Sequence, residues 1–160
     1  MKKLFICTAA LFFTNYGYCQ QTFTDSFNIK RQNITKIGVK ILAGYNVVNI
    51  IYGSVAYSQN NSGNKYFHKM NAVWNSVTLG LVGIGLLTAK KEGRLTYGAS
   101  LKKQSEAEKI FLFNTALDLA YVAGGAYLTE RAKTNTANPL RLKGFGESII
   151  LQGAVLFLFD

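Results

Sequence analysis

Polar side chains recur at helical spacing inside otherwise apolar runs, and any chemistry in this chain rests on them. Asn46, Asn49 and Gly53 share one helix face at +3 and +7. Asn71, Asn75 and Thr78 share another at +4 and +7, as do Asn114, Asp118 and Tyr121. Ser148 and Gln152 lie one turn apart, with Glu147 beside them. An Asn or carboxylate facing lipid is costly, so these faces should point inward at one another. Counted from the two short loops at about 1.5 Å per residue, the nearer members sit about 9–12 Å deep. Asp118 and Gln152 fall near mid-span, so all can meet in one layer.

Two kinds of chemistry suit such a layer. One is a polar cavity, with Asp118 and Glu147 as the ionisable groups of an ion, proton or small-solute site held by Asn49, Asn75, Asn114 and Gln152. The other is adhesion between helices, in which each amide or carboxyl hydrogen-bonds across an interface and contributes only about 1 kcal/mol. A four-helix bundle has little interior volume for a path, which favours adhesion. Gly80, Gly83, Gly124, Gly125 and Gly153 likewise suit close helix packing and need no ligand.

Enzyme signatures are missing. The chain has no Gly-x-Ser-x-Gly, no phosphate-binding loop, no His-Glu-x-x-His and no cysteine pair in a catalytic or metal-binding spacing. Asp118 and Glu147 as an acid–base pair would be buried, with substrate entering only from lipid. We therefore expect no enzyme, no cofactor and no metal. His68 is the single histidine; beside Phe67 it reads as an interfacial anchor, since no second histidine completes a site.

The elements that position these residues are apolar helices. Charged residues make up 16% of the 160-residue chain and apolar ones 49%, too few charges for an ordinary soluble surface. Mean hydropathy is a modest +0.11, because Asn, Gly, Ser and Tyr interrupt the apolar runs. The net charge of +10 raises nucleic acid as a partner. Yet Lys and Arg gather at the ends of apolar runs, as at Lys90-Lys91 and Arg141/Lys143, which is membrane-interface anchoring and not a groove-tracking patch.

The N-terminus has the form of a signal peptide over residues 1–19. Lys2-Lys3 precede an apolar stretch from Leu4 to Phe13, followed by Thr14, Asn15 and Gly17. Cleavage after Cys19 would leave Gln20 first. Both cysteines, Cys7 and Cys19, would go with the segment, excluding disulfides and thiolate chemistry from the mature chain. Residues 20–160 then form one transmembrane domain with spans at about 34–57, 67–89, 106–129 and 139–159. Gln20 to Gln32 reads as a polar lead-in, Ser58 to Asn64 as a turn, and Lys90-Lys91 with Gly93 as the close of the second span. A Lys-rich stretch with a turn near Tyr97-Gly98 follows. Ser105 to Glu108 has the capping-box form and should open the third helix; Asn138-Pro139 should open the fourth.

The rival fold is a small β-barrel. Continuous apolar runs at Leu79–Thr88 and Ile149–Phe159 argue against it, because a barrel strand alternates polar and apolar positions. A faint internal repeat supports helical hairpins. Asn49-x-x-Tyr52 echoes Asp118-x-x-Tyr121, and Asn75-Ser76 echoes Glu147-Ser148. Repeated hairpins would give two parallel helix pairs related about the membrane normal.

Larger segments add a resemblance. Phe67-His68-Lys69-Met70-Asn71 with Trp74-Asn75, Phe113-Asn114 with Asp118 and Tyr121, Gly124-Gly125 with Tyr127 to Arg131, and Gly144 to Ser148 leading into Leu151-Gln152-Gly153 carry it. With the closing Leu158-Phe159-Asp160, they resemble an uncharacterised family of small four-span bacterial membrane proteins, a domain of unknown function, over residues 28–160. The resemblance implies a helical membrane fold in a Gram-negative envelope and no activity to transfer. Similar chains continue several residues past this Phe-Asp.

The expectation is an all-α membrane four-helix bundle, multi-pass in the bacterial inner membrane, with a structural or interaction role. Its partners would be the lipid bilayer and an envelope protein or further copies of itself, and not nucleic acid. The alternative is a small carrier or channel around Asp118 and Glu147. Orientation is contested. A cleaved signal puts Gln20 and the Lys-rich stretch outside, whereas the positive-inside rule favours the reverse; the signal segment weighs more.

Overall fold

The computed structural model describes residues 2–60, 62–88 and 93–160, with side chains from Thr22 to Leu87 and from Gly93 onward. Four helices account for nearly all of them: α1 Lys2–Gln59, α2 Lys65–Thr88, α3 Tyr97–Ala132 and α4 Pro139–Phe159. No strand occurs among the described residues, which removes the barrel. Each helix contains a segment long and apolar enough to cross a membrane: Thr22–Gln59, Lys65–Leu87, Tyr97–Ala132 and Pro139–Phe159.

Two helices begin earlier than their composition implies. Residues 2–19, the expected signal segment, form the first turns of α1, and the expected lead-in Gln20–Gln32 continues it. Gln20–Gln32 holds no Gly or Pro, and Ser, Thr, Asn and Asp lower helix propensity by only tenths of a kcal/mol each. Gly17 alone, at about 1 kcal/mol, does not interrupt the helix. In α3, Ser105-Glu108 lies mid-helix and Tyr97-Gly98 forms the first turn instead of a loop. Thr96 is the cap, its Oγ1 accepting from the Ala99 N–H at 3.4 Å.

Asn138-Pro139 does open α4, with Pro in the first turn. The Asn138 side chain does not cap; Asn135 Oδ1 instead accepts from the N–H of Ala137 (3.0 Å) and of Asn138 (2.8 Å). The expected stop at Lys90-Lys91 lies outside the described residues.

The chain divides into two compact units. The first comprises Met1–Gly38 and Lys90–Ala107. Here α1 and α3 run parallel: Arg94 Nε meets Asp25 Oδ2 at 3.8 Å, and the Ser100 hydroxyl donates to Asn28 Oδ1 at 2.8 Å. Asn28 and Ser100 are both buried. Arg31 Nη1 adds a bond to the Ser100 carbonyl at 3.3 Å.

The second unit comprises Val39–Ala89 and Glu108–Asp160, thus parts of all four helices. Five glycines mark its crossings: Gly53, Gly125, Gly144, Gly146 and Gly153, the last against the Asp118 carbonyl oxygen as its expected packing role requires. A Cβ on Gly53 would lie 2.9 Å from the His68 carbonyl oxygen and 3.1 Å from Ala72 N, so α1 and α2 touch backbone to backbone. Gly125 does the same for α3 and α4, at 2.7 Å from the Gly146 oxygen and 2.9 Å from Ile150 N. Gly144 brings α4 against α2, 2.7 Å from Phe67 N. No glycine described has positive φ, so these positions are required by space and not by backbone conformation. Gly80, Gly83 and Gly124 have open space where a Cβ would be, contrary to the packing role expected of them; they lie off the crossings.

The crossings expose the repeat. Gly53 on His68 and Ala72 in the first hairpin corresponds to Gly125 on Gly146 and Ile150 in the second. Helices α2 and α4 are parallel and level where Phe67 meets Gly144. Two copies of one hairpin, related by a rotation about an axis along the helices, have this arrangement. The register differs from the one read in the sequence: α1 maps on α3 by 72 positions, from Gly53 to Gly125, and α2 on α4 by 77 to 78. In the first unit, Asn28 and Ser100 are also separated by 72 positions. The second hairpin is longer between its glycine and that glycine's partners, and the change of offset concealed the match.

Candidate functional site

In the second unit the buried polar residues are Asn46, Asn71, Asn75, Asp118, Ser148 and Gln152, each no more than 3% exposed. They form three pairs under the repeat: Asn46 with Asp118, Asn71 with Ser148, and Asn75 with Gln152. Helical periodicity explains why. Asn71/Asn75 and Ser148/Gln152 are each one turn apart, so both members of each set follow the same face into the centre.

Asn71 is the hub. Its Oδ1 accepts from Gln152 Nε2 and from Asn75 Nδ2 (3.1 Å). Its Nδ2 donates to Asn49 Oδ1 at 3.1 Å and to the Asn49 carbonyl at 3.4 Å. Asn75 Nδ2 donates in addition to the Asn71 carbonyl at 2.8 Å. Tyr45 completes the circuit, its hydroxyl donating to Gln152 Oε1 at 3.3 Å while its carbonyl accepts from Asn49 Nδ2 at 2.9 Å. Helices α1, α2 and α4 are thus joined through neutral groups, side-chain amides and the Tyr45 phenol. Neutral amides suit this use because each carries both donors and acceptors.

Some atoms of the layer have no partner. Asn46 Nδ2, Asn75 Oδ1, Ser148 Oγ and Asp118 Oδ2 are buried without a hydrogen bond. Each such group raises the free energy of the fold by about 1–3 kcal/mol.

Other expected members lie elsewhere. Glu147 is not in the buried layer: its side chain is 43% exposed and its Oε1 lies 3.8 Å from Lys143 Nζ, one turn away. The helix turns Glu147 some 100° from Ser148, so only one of the two can face the centre. Asn114 and Tyr121 are half-buried. Tyr121 packs edge-on against Trp74, ring centroids 4.8 Å apart. Asn114 and Asp118 both meet the Asp160 carboxyl. Thr78, on the face of Asn71 and Asn75, donates to its own helix at the Trp74 carbonyl, 3.1 Å away. His68 packs on Tyr52 and Phe67 at centroid distances of 5.5 and 5.4 Å. Among the described residues, no three His, Cys, Asp or Glu side chains gather where a metal could bind.

Sequence reasoning missed Tyr45, Trp74 and Asp160. Tyr45 had a usable signal, since it precedes Asn49 by one turn on the same face. Trp74 and Asp160 had none, because their partners come from other helices.

Asp118 lines a different feature from the amide circuit. A cavity of about 660 Å³ lies among α2, α3 and the end of α4, bordered by Val73, Trp74, Val77, Leu81, Tyr121 and Leu156 as well as Asn114, Asp118 and Asp160. Its walls are mainly apolar, with carboxyls and an amide at the end where these last three residues meet and the polar groups of Thr78, Trp74 and Tyr121 elsewhere along the lining.

Comparison with known proteins places the chain among relatives without a known activity. Neither the curated proteins nor the solved structures contain a match. Residues 41–160, which include the whole buried amide layer and the cavity but only the last turns of α1, match one family. The chain belongs to the family of unknown function DUF6992.

Proposed function

We propose that this chain is a multi-pass integral protein of the bacterial inner membrane, with a structural or interaction role as a subunit of a larger envelope assembly or as a homo-oligomer. The carrying observation is an inverted distribution of side chains. The largest fully buried side chains are Gln152, Asn46, Asn71, Asn75 and Ser148, all polar, whereas Leu87 and Leu158 are 88% and 85% exposed. In water, so much exposed apolar surface is unfavourable by about 25 cal/mol per Å². In lipid the same arrangement is the stable one.

The structural role is supported by how the amides are engaged. Asn71 bonds to Asn49 and to Gln152 across helices, with Asn75 held to Asn71 within α2, as side chains do when they fix helix register. The carrier alternative retains Asp118, whose Oδ2 is unpartnered, but loses Glu147 to the surface pair with Lys143. The test is crosslinking and mild-detergent pulldown of the tagged protein from native membranes, read by mass spectrometry. A stoichiometric partner or a defined homo-oligomer is expected. A lone monomer whose vesicles conduct solute, with flux lost in Asp118→Asn, would replace this reading with the carrier.

A further inference from the structure

The cavity beside Asp118 has a composition that selects its occupant. Val73, Val77 and Leu81 on its α2 side are 50%, 61% and 65% exposed, so it opens on the flank of the helices. A volume of about 660 Å³ falls within the range of about 300–1,000 Å³ in which small ligands are held. One end carries Asp118, Asp160 and Asn114. Asp118 is 3% exposed and its Oδ2 has no donor. What faces it is the second carboxyl, Asp160. Ionised carboxylates only accept hydrogen bonds, so the two groups present acceptors to each other; the Asn114 amide donates to Asp160 and leaves Asp118 Oδ2 without a donor. Among the described residues, no lysine or arginine forms an ion pair with either. A buried carboxylate without a donor is costly, and a donating cation relieves it.

We propose that this cavity binds an amphiphile with a protonated amine head, its apolar chain along Val73, Val77 and Leu81 and its ammonium between Asp118 and Asp160. An ammonium has three donors and no acceptor, which is the complement of two carboxylates. Anionic heads are repelled, and a neutral alcohol supplies one donor and no charge. The inference rests on the membrane reading above, because a long-chain amine reaches this flank from lipid.

Trp74 supplies the readout. It is the only tryptophan of the chain, it borders the cavity and it packs on Tyr121. The full chain, reconstituted in nanodiscs, is titrated with dodecylamine, dodecanol or dodecanoate while Trp74 emission is recorded. Dodecylamine is expected to give a saturable change, weakened at least tenfold in Asp118→Asn. Val77→Phe, which fills the cavity and keeps both carboxyls, is expected to abolish the change and serves if Asp118→Asn does not fold. A response equal for all three amphiphiles, or one that survives both substitutions, overturns the proposal. So does the absence of any response to dodecylamine, which would leave the two carboxyls sharing a proton instead. Alkaline extraction of native membranes is run in parallel. Release of the protein there would refute the membrane reading; retention without amine binding would refute only the present inference.

Discussion

Asn46 and Asp118 occupy equivalent places in two copies of one helical hairpin, 72 positions apart, and both are almost fully buried. They match as Gly53 and Gly125 do, seven residues further along each helix. The side chains are nearly equal in shape and differ in charge. In the first hairpin the position carries an amide beside the amide circuit. In the second it carries a carboxyl that turns toward Asp160 and the cavity. Similar hairpins thus acquire different chemistry from one amide-to-acid difference.

This equivalence predicts asymmetric responses to exchange. Asp118→Asn keeps the shape and removes a buried acid, so stability should be unchanged or rise by up to about 1 kcal/mol. Asn46→Asp buries a new charge without a cation and should lower stability by about 2–4 kcal/mol. Unfolding of both variants in mild detergent, followed by circular dichroism, checks the pair; equal effects would break the argument.

Removing the hub should be felt on three helices. Asn71→Ala leaves Asn49, Asn75 and Gln152 short of partners, for a loss of about 2–3 kcal/mol. Thr78→Ala, which removes a bond within one helix, should cost under about 1 kcal/mol. A double-mutant cycle between Asn71 and Gln152 should give a coupling of about 0.6–1.7 kcal/mol. Zero coupling would mean that the circuit holds nothing together.

Glycines separate into two groups. Gly125→Leu sets side-chain atoms against the Gly146 carbonyl and Ile150 backbone, less than 3.0 Å away, so the α3–α4 pair should not close and folded yield should collapse. Gly80→Ala and Gly124→Ala meet open space and remove backbone freedom from the unfolded chain; each should stabilise by about 0.4–1 kcal/mol. Thermal unfolding of all three distinguishes the groups.

The surface pair should matter little. Lys143–Glu147 is half-exposed at 3.8 Å, and such pairs contribute about 0.2–1 kcal/mol. Glu147→Gln should therefore leave both stability and any vesicle flux as they were. A large loss of flux would return Glu147 to the carrier alternative.

In the first unit, Ser100→Ala removes the hydroxyl that bonds Asn28 between parallel helices. Stability of the α1–α3 contact should fall by about 1–2 kcal/mol, since Asn28 Oδ1 is left buried without that donor. Hydrogen exchange over residues 22–38 and 97–107 should accelerate, while exchange around Asn71 should not.

Much of the architecture was legible because helical order here is local. Runs of apolar residues about 20 long, Pro139 after Asn138 and polar residues at +3, +4 and +7 each report on neighbours within a turn or two, where geometry is set by the 3.6-residue period. Asn46, Asn71, Asn75, Asp118, Ser148 and Gln152 were all readable as inward-facing on that ground. The helix starts of α1 and α3 were less legible, because caps such as Ser105-Glu108 act only where no better start exists upstream, and Thr96 offers one.

What lay beyond local reading was whatever depends on the angle and register between helices. Glu147 and Ser148 are adjacent in sequence, yet one faces Lys143 at the surface and the other the centre. That choice was made by the crossing of α4 over α2 at Gly144 and over α3 at Gly125. The same crossings set the 72- and 77-position offsets, joined Tyr45 to Gln152 across 107 residues, and brought Asp160 to Asp118. Contacts between distant segments follow from backbone approach at a few glycines, a distance that composition and periodicity do not encode.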